Sequence, residues 1–254
     1  MRKVFPVVLA LMVPAALSAQ QTLLRMAPPQ GQVSRYRIET HTAIDMMQAS
    51  IDANAVMQIT ATVSAAVGDE RTIQTVVDSF RIDAPGIPMP PMPSLVGSST
   101  TIRMTTRGQV LETTYSNEAL TQAFGGMSGP QGSSFPAGMT MPEGPVAVGH
   151  EWDDSSTVDT DGGQMGSVHV TTRTHYTFER LDRRGGAPIA VIAITGTVGQ
   201  SNAMMSSEGT MSGTMEFDLD AGRWVTNRIT VELQMNAGGQ DARMTIETSG
   251  RLVT

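Results

Sequence analysis

The sequence predicts an all-β fold, and three observations lead to that prediction. Apolar and polar residues alternate along most of the 254-residue chain, as they do in strands that bury one face. Turns rich in glycine and aspartate separate the alternating stretches. A single short helix is predicted, over 117–124, because Ser116 is a good N-cap and Gly125 a good stop. We therefore expect an antiparallel meander of about ten strands that forms a half-barrel or a sandwich.

In the first half of the chain, the strands are predicted from period-two patterns. Even-numbered positions of 33–46 are mainly apolar or threonine, whereas its odd-numbered positions carry most of the charged side chains. In 55–67 the odd-numbered positions are apolar. Gly68-Asp69-Glu70 forms a turn before the next strand. The predicted strands of this half are 33–46, 55–67, 71–83, 102–106 and 109–115.

The second half follows the same scheme. Trp152 opens a strand after Gly149, and in 168–178 apolar residues alternate with polar and charged ones. The stretch 189–194 is apolar at both parities, which predicts a central strand covered on both sides. The remaining predicted strands of this half are 168–178, 189–197, 207–219, 229–235 and 242–252.

The spacing of landmarks suggests an internal duplication. Tyr36 and Trp152 are 116 residues apart, Gly68 and Gly185 are 117 apart, and Gly108 and Gly222 are 114 apart. The halves would be 22–140 and 141–254, within one β-rich domain of residues 20–254. Two such meanders could pack as a sandwich or continue as one curved sheet.

The N-terminus has the features of an export signal, predicted over residues 1–19. A basic start at Arg2 and Lys3 precedes the apolar run 4–16, which is too short to span a bilayer as a helix. Cleavage after Ala19 leaves a mature chain with a net charge of −9, since two of the 17 basic residues are lost against 24 acidic ones. We expect a periplasmic or secreted protein without a transmembrane segment in the mature chain.

Composition excludes several classes of function. The chain has no cysteine, which excludes disulfides, thiol catalysis and a lipid-modified cysteine. The excess of acidic over basic residues argues against nucleic acid as a partner. Lys3 is the only lysine, so Schiff-base chemistry is excluded in the mature chain. No catalytic motif was found, since Gly126-Met127-Ser128-Gly129 lacks the spacing of a nucleophile elbow. We predict no catalytic residues and no cofactor.

Methionine is the enriched residue type, with 19 in the chain. An unbranched, polarizable side chain suits either a core or a surface that adapts to apolar ligands, and thioethers also bind Cu(I). Copper is disfavoured because Met89-Pro90-Pro91-Met92 is the one close approach to a methionine cluster. Candidate ligand-binding residues at apolar strand positions are Met57, Met104, Met205, Met211, Met215, Phe217 and Met235.

The sequence predicts no metal site. His169 and His175 share a strand face, but six residues along a strand separate them by about 20 Å. The segments 159–163 and 218–222 each resemble half of a calcium loop without its terminal glutamate. Aspartate before glycine is also the ordinary composition of a turn.

Two segments rich in proline, glycine and methionine interrupt the meander. They span 85–99 and 125–144. Each is interpreted either as a solvated loop or as an apolar flap over a cavity, because loops of this length in a domain are often functional.

The chain resembles an uncharacterised family of bacterial exported β-rich proteins, a domain of unknown function. The resemblance lies in the segment from Gly31 to Tyr36, the methionines between Met46 and Met57, and the segment from Met141 to Trp152. A weaker likeness is to periplasmic half-barrel carriers of lipoproteins or lipids. These likenesses imply a β-rich exported protein with no assigned reaction.

The leading functional hypothesis is a non-enzymatic binding protein for a hydrophobic or lipid-like ligand, held on an apolar concave surface. The alternative is a structural or interaction module that buries its sheet faces against itself or a protein partner of unknown identity. A hydrolase built from scattered residues is the third option.

Overall fold

The all-β prediction is confirmed by a computed structural model of the chain. The structure describes residues 21–46, 49–85, 94–117, 139–161, 167–201, 205–237 and 240–253, and these contain strands and turns but no helix. The predicted signal peptide, the interiors of both predicted loops and, apart from Asn117, the predicted helix lie outside the described residues.

Eleven antiparallel strands form one sheet, and the second, seventh and tenth strands extend six residues beyond the predicted bounds at one end. The strands are β1 (Val33–Met46), β2 (Ala49–Val67), β3 (Glu70–Asp83), β4 (Ser99–Thr105), β5 (Val110–Tyr115), β6 (Glu151–Asp161), β7 (Ser167–Arg184), β8 (Ala187–Ser201), β9 (Met205–Asp218), β10 (Arg223–Ala237) and β11 (Gln240–Val253).

The strand order decides between the two predicted architectures. The sheet runs β5-β4-β3-β2-β1-β11-β10-β9-β8-β7-β6, so the first and last strands pair in its middle. Because all the described strands belong to one unclosed sheet, the arrangement is that of a half-barrel and not of a sandwich. Its edge strands are β5 and β6.

Strand β6 is not among the ten strands predicted from alternation, although Trp152 was predicted to open a strand, and its sequence explains why. Trp152 indicates where it begins, but Asp153, Asp154, Ser155 and Ser156 place polar side chains on both faces. Period-two patterning detects strands with one apolar face, so an edge strand that is polar on both sides gives no such signal.

Cross-strand pairing gives the sheet an apolar face and a polar face. Tyr36 is paired with Ile59 and Leu252, whereas its neighbour Arg37 is paired with Gln58 and Arg251. The predicted two-sided burial of 189–194 is also found, because Ile189 and Val191 are buried on the polar face while Ile192 and Ile194 are buried on the apolar face.

Three glycines on the apolar face lie very close to the backbone of an adjacent strand. A Cβ atom at Gly196, Gly209 or Gly213 would collide with a backbone oxygen of the adjacent strand. A close approach of this kind requires glycine, and glycine kinks are a general means of curving a sheet. These three glycines therefore allow the curvature of the half-barrel.

Two irregular segments pack over one end of the apolar face. Residues 21–30 and 139–148 are joined by mutual backbone hydrogen bonds between Thr22 and Val146. Arg25 strengthens the junction by donating to the carbonyl oxygens of Pro142 and Glu143. The buried side chains that these segments add to the core are Leu24, Met26, Met139, Met141 and Val146. We call the sheet beneath them the covered end.

The two halves of the chain repeat local backbone features. A bulge follows Val63 where β2 pairs with β3, and another follows Phe178 where β7 pairs with β8. Val63 also bonds with the Gly31–Gln32 backbone, as Phe178 does with Gly149–His150. These repeats favour the predicted duplication into 22–140 and 141–254, which stays a prediction.

Candidate functional site

The predicted ligand-binding residues lie on the apolar face, but at different depths. Met57 and Met235 are half-buried, and Met205 begins β9 with its side chain outside the described part. The other four members of the set are fully buried in the core: Met104, Met211, Met215 and Phe217. Their packing is that of core residues, which is the alternative that methionine enrichment left open.

Burial along the apolar face falls from one end to the other on β1, β2, β10 and β11, whereas β9 stays buried as far as Ser207, which is 4 % exposed. At the covered end Phe178 and Phe217 are 0 % exposed. At the opposite end the apolar side chains are half-buried, and Met46 is 43 % exposed. We call this the exposed end, and its members are Ile44, Met46, Ile51, Leu233, Met235, Met244 and Ile246. Within the described residues, no segment comparable to 21–30 lies over it.

The exposed end is formed by four strands that are adjacent in space. Ile44 is paired with Ile51 and Met244, and Met244 is paired with Leu233. Strands β1 and β11 are at opposite ends of the chain, so the surface exists only because the sheet brings them together. The alternation in each strand was visible in the sequence, but which part of each strand would stay uncovered was not.

A buried polar group lies beside the covered part of this face. Asn227 is 4 % exposed, and its Oδ1 has no hydrogen-bond partner. It is paired across the strands with Met215 and Gly250. A buried unpaired acceptor costs about 1–3 kcal/mol, so a donor that reached Asn227 would recover part of that free energy.

Aromatic side chains fix the covered end. The rings of Tyr36 and Trp224 stack with centroids 4.0 Å apart, and the Tyr36 hydroxyl donates to the Trp224 carbonyl oxygen at 3.4 Å. Trp152 stacks on Tyr176 with centroids 5.3 Å apart.

Burial, and secondarily the nearby charge of Asp154, raises the pKa of Tyr176 well above its usual value. Burial likewise raises the pKa of Tyr36.

A polar groove lies on the opposite face, and sequence reasoning missed it. Its volume is about 680 Å³, and it crosses β7 to β11 near the ends of the strands that also carry the exposed end. Its charged lining includes Arg173, Glu208 and Arg243, with Glu232 bonded to Arg243 at 2.8 Å. Gly199 lines the groove and could have indicated it in the sequence, because a residue without a side chain leaves space on a sheet face.

The three histidines within strands, His41, His169 and His175, lie on the polar face. His175 hydrogen-bonds to Asp153 at 2.8 Å and lies 3.7 Å from Glu151. His169 is exposed farther along the same strand. Among the described residues, no three His, Asp or Glu side chains are grouped in a way that could hold a metal ion.

The second calcium-like segment is a turn. Both the Asp220 and the Ala221 backbone N–H donate to Asp218 Oδ1, at 3.0 and 2.9 Å. Gly222 then takes a φ of 60°, which favours glycine. The carboxylate of Asp218 is thus used to close the β9–β10 turn. The other segment, 159–163, is only partly described, and Met89–Met92 and Gly126–Gly129 lie outside the described residues.

In the part of the chain that the structure describes, there is no helix long and apolar enough to cross a membrane.

The chain matches no protein-family model, and no curated protein matches it in sequence. A hypothetical lipoprotein, YmcC from Escherichia coli K12, is structurally similar at 11 % identity and a TM-score of 0.30, over 91 % of this chain and 92 % of that one. A DUF1329 family protein from Desulfovibrio piger is similar at 9 % identity and a TM-score of 0.23, over 86 % and 85 % of the chains.

A third similar structure is DynF from the dynemicin biosynthesis pathway of Micromonospora chersina, at 7 % identity and a TM-score of 0.23 over 97 % and 92 % of the chains. The neighbours thus include a hypothetical lipoprotein and a DUF family member. At these TM-scores they give no argument about a ligand.

Proposed function

We propose that the protein is an exported, non-enzymatic carrier that binds a hydrophobic or lipid-like ligand on the exposed end of its apolar face. The observation that carries the proposal is the fall in burial along this face. The covered end is buried by the chain's own segments, whereas the exposed end has the same apolar character and no such cover among the residues that the structure describes. Contiguous apolar surface of this kind marks a binding site in soluble proteins.

The dimensions and chemistry of the surface suit an extended apolar chain. The exposed end crosses four neighbouring strands, from Ile51 on β2 to Leu233 on β10, which is about 14 Å at the usual strand spacing. Each methylene that leaves water contributes about 0.8 kcal/mol. Met235 and Met244 are unbranched, so they adapt to ligands of different shape. The surface therefore favours an acyl-like chain and can accept ligands with different chain structures.

The test is ligand binding with two variants at neighbouring positions. Met244→Glu places a charge on the exposed end, and Thr245→Glu places the same charge on the polar face one residue later. Both residues are half-buried. We expect a fluorescent fatty acid to bind the parent and Thr245→Glu, and to bind Met244→Glu at least about tenfold more weakly, because a buried carboxylate is costly beside an apolar chain.

Native mass spectrometry of gently purified protein would identify a ligand that it carries. Absence of fatty-acid binding by the parent, or an equal loss in both variants, would refute the proposal. An obligate oligomer in light scattering, with the exposed end inaccessible, would instead favour the structural or interaction module. Secretion of the chain with cleavage after Ala19 would support the proposed export.

A further inference from the structure

Arginines without partners gather on the polar face of the middle strands. Ten of the fifteen arginines in the described residues have a hydrogen bond or an ion pair. Of the five that have none, Arg35, Arg228 and Arg251 lie together on β1, β10 and β11. All three are exposed. We call this group the arginine patch.

The pairing of the strands brings like charges together. Arg251 lies directly opposite Arg37 between β11 and β1, and Arg35 is on the same face of β1. Arg228 is paired with Ser249, which places it diagonally beside Arg251. Like charges directly opposite each other destabilise a sheet. The sheet therefore carries an arrangement that opposes its own stability, in a chain whose net charge is −7.

Among the described residues, no carboxylate forms an ion pair with Arg35, Arg228 or Arg251. Glu39 is bonded to Arg37 at 2.6 Å, and Glu216 is bonded to Arg184 and to the Thr226 hydroxyl. Glu247 lies diagonally beside Arg228 on β11, on the side of Ser249 opposite to Arg251, and it is paired with His41 and Thr230. On the β2 side the paired residues are Thr60 and Gln58, which are uncharged.

Apolar side chains adjoin the patch. Val253 is paired with Arg35 on the same face, and it is 38 % exposed. Val33, two residues before Arg35 on β1, is 53 % exposed. Guanidinium groups bind phosphate oxygens through two parallel hydrogen bonds, and apolar side chains beside them suit the interface between head groups and acyl chains. An extended surface of this composition matches a bilayer better than a small soluble anion.

We propose that the arginine patch docks the protein on a membrane surface rich in anionic phospholipid. This inference rests on the proposed function and extends it, because a carrier of lipid-like ligands has to contact the bilayer. It is tested by a separate experiment. Head-group phosphates bind Arg35, Arg228 and Arg251, with Val33 and Val253 at the level of the interface. The apolar face then points away from the membrane surface, so docking and ligand binding use opposite faces of the same sheet.

The experiment is co-sedimentation with vesicles of phosphatidylcholine, with and without phosphatidylglycerol. We expect the parent to bind only the vesicles that contain phosphatidylglycerol, and to be released by high salt. Arg228→Gln/Arg251→Gln should weaken binding by about thirtyfold, because each basic residue near an anionic surface is worth about fivefold. The matched control, Arg81→Gln/Arg173→Gln, removes two exposed, unpaired arginines from the other end of the same face and should bind like the parent.

Three outcomes would overturn the proposal: no binding of the parent to phosphatidylglycerol vesicles, an equal loss in both double variants, or binding of heparin without binding of vesicles. Urea unfolding verifies that Arg228→Gln/Arg251→Gln is folded, and removal of the like charge opposite Arg37 should leave it at least as stable as the parent. Fatty-acid binding should be unchanged in this variant. Vesicle binding without fatty-acid binding would refute the carrier function and leave the docking surface standing.

Discussion

Substitution of Gly213 by alanine tests the origin of the curvature of the sheet. Gly213 lies on β9 between Ile194 and Ile229 of the neighbouring strands. Its φ is not positive, so alanine meets no conformational penalty there. The added Cβ would instead collide with the backbone oxygen of Arg228 and lie 2.9 Å from the Cα of Ile229.

The expected cost follows from what has to move. Overpacking costs about 1–3 kcal/mol, and a strand backbone yields less than a flexible side chain, so we take the upper value. Alanine regains about 0.5–1 kcal/mol because it has less conformational freedom than glycine in the unfolded chain. The net loss is about 2 kcal/mol in the free energy of unfolding. For a domain of this size that corresponds to a fall of about 4–8 °C in Tm.

The assay is thermal unfolding followed by circular dichroism, with Gly199→Ala as the control. Gly199 is in β8 of the same sheet, and its added Cβ would have nothing within 4 Å. We expect the control to keep its Tm or to raise it by about 1–4 °C. A Gly213→Ala variant as stable as the parent would show that the close approach of β9 and β10 does not require glycine, and the account of the curvature would fail.

Two further predictions concern the covered end. Phe217→Ala should lower the free energy of unfolding by about 3–5 kcal/mol in urea titrations. Met235→Ala, at the exposed end, should lower it by about 1 kcal/mol or less. Equal losses in the two variants would contradict the difference in burial. Burial holds the pKa of Tyr176 above its unfolded value of 10.0, so the unfolded state loses this proton first. The free energy of unfolding should therefore fall as the pH rises above about 10. Tyr176→Phe should make the fall between pH 8 and pH 11 smaller. If the fall is as large in Tyr176→Phe as in the parent, Tyr176 does not have a raised pKa in the folded state. Because Lys3 is the only lysine, lysine titration hardly contributes in this range.

Much of the fold was predictable because strands with one apolar face repeat every two residues. The bounds of β1 were predicted to the residue, and β3 and β11 to within two residues at each end. Turn glycines such as Gly68 and Gly185 were also found, because their positive φ values follow from local backbone chemistry. These features depend on neighbours in sequence, which is why the sequence alone reveals them.

The candidate site was only partly predictable. Methionine enrichment identified Met57 and Met235, which are accessible, together with Met211 and Met215, which are not. The accessible and the buried methionines lie on the same apolar face, so the alternation of apolar and polar residues could not distinguish them. The separation depends on the segments 21–30 and 139–148, whose packing joins parts of the chain more than 100 residues apart.

The sequence by itself determined the all-β class, the positions of ten strands and the apolar parity of each, because these are set by local periodicity and turn chemistry. The tertiary structure alone decided that one half-barrel sheet forms instead of a sandwich, since this depends on β1 pairing with β11. That same pairing decides which apolar residues stay exposed, and it places Arg251 opposite Arg37 on the other face. Contacts between the two ends of a chain leave no periodic trace in its sequence.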